Sequence, residues 1–469
     1  MTTTARAAAR ERTAIAEPHS KLAKRPPART ACGRFLLLLV ALLLLPRAAL
    51  ANGADLPPEV LLQAYVKEEP GRLLLLLRVP LDLLASFGLP KRGTGYLDLA
   101  RIEPRLKDAA AASGRQVELA ADGVALAPVV RQARISLLSD RSFASYDAAR
   151  AHFDGPRLPP DTDLFWNQGF FDAELEYPFA AQQPQLAVRV NVAPELGARL
   201  KLQLDFLPPD RPPRRYLLPG GSDWVALDPR WPEAAGIFLK SGFGAALTFE
   251  RLVFLACLLA PFWKLRAPVM LVALLILLQA LALSAAALGT LAGARWIGIL
   301  FDAALAGAIL LVALGNLAAP NLRVRLALCA VIGVIAGFAL GPALAAAWQF
   351  SGTHAIVSAI AFNAGAAFAT LLAAALAFGV LRSLVDRILG APLAVVVLSA
   401  LLGHMAWHWL ERYHELAHEL SHAAAPQLVA LALWIVGAAA AGIAAGFLPS
   451  RLLDAPRVPS LLPGLFKRE

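Results

Sequence analysis

The residues whose types and spacing point to chemistry concentrate in Ala391 to His422. This stretch opens as an apolar helix and becomes His404-Met-Ala-Trp-His408-Trp-Leu-Glu411-Arg-Tyr-His414-Glu415-Leu-Ala-His418-Glu419-Leu-Ser-His422, which holds five of the eight histidines in the chain. Stepping a helix at about 100° per residue from His404 places His408 at about 40°, Glu411 at about 340°, Glu415 at about 20°, His418 at about 320° and His422 at about 0°. One stripe, roughly 80° wide, therefore carries four imidazoles and two carboxylates. Imidazole with carboxylate is the ligand set of zinc, nickel and similar divalent ions, and the i, i+4 spacing puts neighbouring ligands within reach of one ion. His404 and His408 lie among apolar neighbours and are expected to form the deep end of a metal site, with Glu411, Glu415, His418 and His422 as an outer ladder. Asp302, Asn363 and His354 are the candidates to complete the coordination. The competing reading makes His414 to His422 a solvated helix extension, with His404 and His408 packed between helices. His414-Glu-Leu-Ala-His418 and His418-Glu-Leu-Ser-His422 also match the zinc-protease pattern H-E-x-x-H, but no third-ligand motif follows before Pro426.

The elements that position these residues follow from composition. The 469 residues are 58% hydrophobic and the mean hydropathy is +0.58, too apolar for an ordinary soluble protein. From Ala246 the chain is almost wholly apolar and reads as seven membrane spans, roughly 247–263, 267–290, 296–317, 324–347, 355–381, 391–411 and 426–448. Lys264 with Arg266, Arg323 with Arg325, Arg382 with Arg387, and a tail with Arg451, Arg457, Lys467 and Arg468 fall on one side; the opposite loops carry Arg295, then no basic residue, then Arg412. The positive-inside rule puts the basic set, and the 449–469 tail, in the cytoplasm. Gln349–His354 and His414–His422 then share the outer face. The net charge of +10 is thus topological information, not a nucleic-acid footprint. Within the spans, Asp302 is a candidate ion or proton site, or a lone acid hydrogen-bonded between helices.

Ahead of the spans, residues 1–51 read as a secretory signal peptide: a basic arm, the apolar run 35–45 and the Ala49-Leu-Ala51 cleavage signal. An uncleaved anchor is the alternative. Residues 52–243 form an exported domain in which short apolar stretches alternate between turn signals, as in Leu200, Leu202, Leu204 and Phe206 against Lys201, Gln203 and Asp205. That pattern predicts a β-rich, sandwich-like fold. A helix is expected over Tyr96–Ala112, with Pro104 in its first turn or kinking it. His152 stands alone in this region, no catalytic constellation is apparent and no enzymatic activity is expected. The three cysteines, Cys32, Cys257 and Cys329, supply neither a disulfide framework nor a zinc motif.

Over residues 160–412 the chain resembles the HupE/UreJ family of membrane proteins. The residues that carry the resemblance are Thr162-Asp-Leu-Phe-Trp-Asn-Gln-Gly-Phe170, Leu227-Asp-Pro-Arg-Trp231, Phe254-Leu-Ala-Cys-Leu-Leu-Ala-Pro-Phe262, Ser351-Gly-Thr-His354, Phe362-Asn-Ala-Gly365 and His404-Met-Ala-Trp-His-Trp409. The resemblance implies a multi-pass protein of the bacterial inner membrane that takes up or handles nickel or cobalt, beside hydrogenase and urease systems and hence with metalloenzyme-maturation partners. Asp302, Asn316, Asn363, His404 and His408 match the family pattern. Gly244, Glu250 and Arg251 stand where the family has a His and an Asp-His pair in its first span. Gln279 and Ala336 replace further histidines, and Ala367 replaces a Glu. Ala and Gly cannot ligate a metal. Three functions therefore compete: a divalent-metal permease, a non-transporting metal sensor or accessory protein, and a membrane metalloprotease.

Overall fold

A computed structural model describes residues 60–180, 184–192, 196, 199–209, 211–262, 264–291, 294, 296–318, 321–384, 391–412, 416, 418–420 and 425–446. The expected signal peptide, the 449–469 tail, Arg295, Arg387, His414, Glu415 and His422 lie outside the described residues.

The β-rich region runs from Val60 to Ala226. Its strands are β1 (Val60–Glu69), β2 (Arg72–Pro80), β3 (Lys91–Arg92), β4 (Tyr96–Leu97), β5 (Val117–Ala121), β6 (Val124–Ala125), β7 (Val129–Leu137), β8 (Gly169–Pro178), β9 (Leu186–Val190), β10 (Leu200–Leu207), β11 (Arg214–Pro219) and β12 (Val225–Ala226). A six-stranded sheet has the order β11-β10-β1-β2-β8-β7, and a four-stranded sheet the order β12-β9-β5-β6. Only β1 and β10 pair in parallel in the larger sheet. The alternation read in the sequence largely matches the register: Leu200, Leu202, Leu204 and Phe206 are buried and Lys201 and Gln203 are half-buried, whereas Asp205 is buried under the Arg215 guanidinium. Both sheets feed one core, in which Leu62, Leu75 and Leu204 meet Val117, Leu119 and Val188.

Two helices belong to this region. Helix α1 (Glu103–Gln116) begins later than the pattern suggests, because Tyr96–Leu97 is a strand, and Pro104 sits in its first turn. Helix α2 (Tyr146–Asp154), capped by Ser145, covers the other face of the six-stranded sheet. Ala149 and Phe153 there pack with Tyr65, Leu74, Leu76 and Phe143.

The helical region comprises α3 (Trp231–Ala246), α4 (Phe249–Leu259), α5 (Arg266–Ala287), α6 (Trp296–Ala318), α7 (Leu322–Ala339), α8 (Gly341–Ala347), α9 (Ala355–Leu384), α10 (Ala391–Trp409) and α11 (Ala425–Ala445). Five stretches are long and apolar enough to cross a membrane: α5, α6, Leu322–Phe350, α9 and α11. The bent pair α3 and α4 makes a sixth if it is one span, and α10 is a shorter apolar helix. The chain is therefore a multi-pass membrane protein with a β-rich N-terminal region.

The first expected span, 247–263, holds only the eleven-residue α4, too short to cross alone. Helix α3 reaches back to Trp231, the chain bends by 64° at Leu247–Thr248, and α4 stops at Leu259. The break is chemical in origin: the Thr248 hydroxyl accepts the Arg251 N–H and caps a new helix. Gly341-Pro342 similarly separates α7 from α8. The β-rich region touches the turn before α9, where the Leu217 N–H donates to Gln349 Oε1 at 2.7 Å and Tyr216 meets Phe350.

Glycine sets the closest helix crossings. A Cβ on Gly242 of α3 would lie 2.1 Å from the Phe362 carbonyl oxygen, and one on Gly365 of α9 would lie 2.1 Å from that of Leu239. Gly365, in the Asn363-Ala-Gly365 motif, is thus a packing residue that lets two backbones touch. Gly242→Ala and Gly365→Ala should each destabilise the protein by roughly 1–3 kcal/mol through overpacking, seen as a lower thermal midpoint in detergent. Gly298→Ala, which meets nothing within 4 Å, should leave the midpoint unchanged or higher. Equal midpoints for all three variants would refute this account of the crossing.

Candidate functional site

Helix α10 owes its placement to one small and one polar residue. Gly403 lies against Leu310 and Ala313 of α6, and Ser399 accepts a 2.9 Å hydrogen bond from Asn316 Nδ2. The opposite face carries His404, Trp407 and His408, all exposed. As the spacing requires, the two imidazoles come together, with ring centroids 4.8 Å apart and edge to face. His408 Nδ1 lies 3.9 Å from Glu411 Oε1. The pair is not the deep end of a site, however: His404 and His408 point out of the bundle, because Gly403 and Ser399 face α6.

The other expected ligands do not converge on them. Asn363 Nδ2 donates to the Ala359 carbonyl one turn back on α9, and its Oδ1 is buried without a hydrogen-bond partner. His354 is half-buried at the start of α9, its N–H donating to the Ser351 carbonyl. Asp302 is half-buried on α6 and acts on the charge of Arg251. His418 is exposed. Among the described residues, no group of three or more His, Cys, Asp and Glu is placed to hold a metal ion.

A second arrangement sits in the bundle core. Arg251, Gln279 and Ala336 line one cavity of about 20 Å³ with Phe301 and Thr370. Arg251 is 8% exposed. Its Nη1 donates to Gln279 Oε1 at 3.2 Å and its guanidinium lies 4.8 Å from the Phe301 ring centroid. A fixed cation, flanked by an aromatic face and a carboxamide, occupies the centre.

Near the other end of α4, Arg325 is also buried, although the sequence reads it as a loop residue beside Arg323. Its Nη1 donates to the Leu258 carbonyl at 2.9 Å and its Nη2 to Asn316 Oδ1. Asn316 Nδ2 also donates to the Cys257 carbonyl at 3.0 Å. This is a cation placed on the C-terminal carbonyls of a helix, where the helix dipole favours it. Lys264, Arg266, Arg323 and Arg382 stay exposed.

No protein-family model and no curated protein matches the chain.

In the β-rich region His152 is not alone. Arg78 on β2 and Asp172 on β8 are register partners joined by two hydrogen bonds of 2.7 Å. Ser136 on β7 donates to Asp172 Oδ2 at 2.5 Å and lies 3.0 Å from His152 Nε2. His152 Nδ1 lies 3.5 Å from Asp140 Oδ2, and Arg78 Nη2 donates to Asp140 Oδ1 at 2.9 Å. Arg134 donates to the His152 and Pro156 carbonyls and fastens the end of α2. The order Ser-His-Asp is that of a hydrolase triad, but Ser136 is 2% exposed and its proton is committed to Asp172. No substrate carbonyl can reach it, so the cluster is a strut between α2 and the sheet. No sequence signal marks it, since Arg78 and Asp172, 94 residues apart, join Ser136, Asp140 and His152 only through strand pairing.

Burial works to raise the Asp140 carboxyl, but the Ser142 hydroxyl and N–H and the Arg78 guanidinium outweigh it and hold the pKa at about 2. Burial is likewise outweighed at Asp172, by Arg78, His152 and Ser136, and its pKa falls below the ordinary 3.8. Both folded values lie below the unfolded ones. The stabilisation is therefore complete above about pH 4 and is lost as pH falls towards about 2. Asp172→Asn, which leaves Arg78 buried without its charge partner, should cost about 3 kcal/mol at pH 7 and flatten the dependence between pH 4 and 2. Circular dichroism on the full chain in detergent measures both, and a variant as stable as the parent at pH 7 would refute the strut.

Proposed function

We propose that the chain is a non-transporting, metal-handling membrane protein, a divergent relative of the HupE/UreJ family, that binds divalent ions at the α10 stripe without conducting them. The supporting observation is Arg251. Its guanidinium lines the core cavity together with Gln279 and Ala336, at positions where the resemblance would place metal ligands. A divalent ion about 5 Å from a fixed guanidinium meets a repulsion of roughly 6–7 kcal/mol at an effective dielectric constant of 20. The imidazoles instead lie on the outward face of α10, at its C-terminal end beside Glu411, and are the ligands we assign to nickel, cobalt or zinc.

The topology belongs to the same proposal. Counting the bent pair α3–α4 and the short α10 as spans gives seven, with a cleaved leader, an exported sandwich-like domain, a cytoplasmic tail and residence in the bacterial inner membrane. The contact of Gln349 with Leu217 supports placing that turn on the side of the β-rich region. Exposed Lys264, Arg266, Arg323 and Arg382 support a cytoplasmic opposite side. The permease reading rests on the resemblance and on Asp302, and the protease reading on H-E-x-x-H matches that run into residues outside the described set.

Nickel uptake into proteoliposomes separates these readings. No uptake above protein-free vesicles is expected, together with saturable nickel binding that His404→Ala/His408→Ala weakens roughly tenfold or more, since two ligands are removed. Uptake that is saturable and protein-dependent would replace the proposal with the permease. Unchanged binding in the double variant would remove the stripe as the metal site.

A further inference from the structure

The break between α3 and α4 lies beside the same core cavity, and its chemistry favours the opposite sign of charge. Thr248 caps α4, and the N-terminus of that eleven-residue helix carries partial positive charge. Arg251 stands in its first turn and adds a full positive charge. The side chain is more than nine-tenths buried, lines the cavity, and leaves Nε buried with no hydrogen-bond partner. A buried donor without an acceptor is costly, and a buried cation in a membrane bundle needs charge compensation. Asp302 contributes compensation through space, but Nε still lacks an acceptor. Gln279 lends its Oε1 to Nη1, the Thr370 hydroxyl donates to the Ala366 carbonyl, and most of the remaining wall is apolar. The volume of about 20 Å³ accepts one particle of water to halide size.

We propose that this cavity binds one small monovalent anion, of chloride size, on Arg251 at the N-terminus of α4. The anion accepts from Nε and offsets the guanidinium charge.

The test uses the purified full chain in detergent, with chloride and bromide as probes against gluconate at equal ionic strength. Chloride and bromide should raise the thermal midpoint by roughly 3–5 °C over gluconate, with saturable binding of about one radiolabelled chloride per chain. Arg251→Gln should abolish both effects. Ala336→Met fills the cavity while keeping the guanidinium, so it should also abolish both, and it serves as the test if Arg251→Gln does not fold. Equal midpoints in all three salts without saturable chloride binding would mean a water only and overturn the proposal. Chloride binding that persists in both variants would place the anion elsewhere and overturn it too. Nickel binding and uptake are read separately, so failure of the metal reading leaves this result intact.

Discussion

The carboxamide of Asn316 is the joint on which the helical region turns. It is 6% exposed, and within a membrane bundle each of its polar atoms must find a protein partner. It donates to the Cys257 carbonyl of α4 and to Ser399 of α10, and accepts from Arg325 of α7. One side chain on α6 thereby fixes three other helices. Arg325 extends the joint to the Leu258 carbonyl, satisfying a backbone group at the point where α4 ends. The direction of the His404–His408 pair follows from this joint. Ser399 must face Asn316 and Gly403 must face Ala313, and at 100° per residue the imidazoles one turn further on are carried to the outside.

The same requirement accounts for the bend at Thr248. At the bend the Thr248 hydroxyl accepts the Arg251 N–H and so satisfies one of the first N–H groups of α4. Close glycine crossings between α3 and α9 hold the upstream limb of the bend. The β-rich region uses a related solution on a different scaffold. Charges that face one another across neighbouring strands, Arg78 and Asp172, are covered by a helix rather than by lipid. Arg78 and, in the helical region, Arg325 are tolerated in burial because rigid neighbours supply their acceptors.

Patterns that repeat along the chain were legible in the sequence, and juxtapositions across it were not. The alternation of β10, Pro104 in the first turn of α1 and the shared face of His404 and His408 all depend on local sequence, whereas Tyr96–Leu97, read as the start of a helix, is a strand. The His152 cluster escaped because Arg78, Asp140 and Asp172 meet it only through strand order and the packing of α2. The start of α3 escaped because Trp231–Ala246 mixes Pro, Glu, Lys and Gly with apolar residues and resembles a soluble segment in composition. The inward turn of Arg325 escaped because a basic residue beside a span reads as a topological marker. Its acceptors, Asn316 and Leu258, lie on other helices.

Residue type along an apolar run therefore does not by itself identify an ion site; the direction of each side chain decides. The imidazoles and Glu411 look outward, and the two guanidiniums look inward. Arg325 is bonded to a carbonyl and a carboxamide, which fixes it as part of the framework. Arg251 is held more loosely, by one carboxamide and an aromatic face, beside a cavity and with a donor unused. Positive charge on the inside repels a divalent cation from the centre of the bundle, so the direction of a side chain, and not its presence in the run, sets which sign of charge the centre accepts.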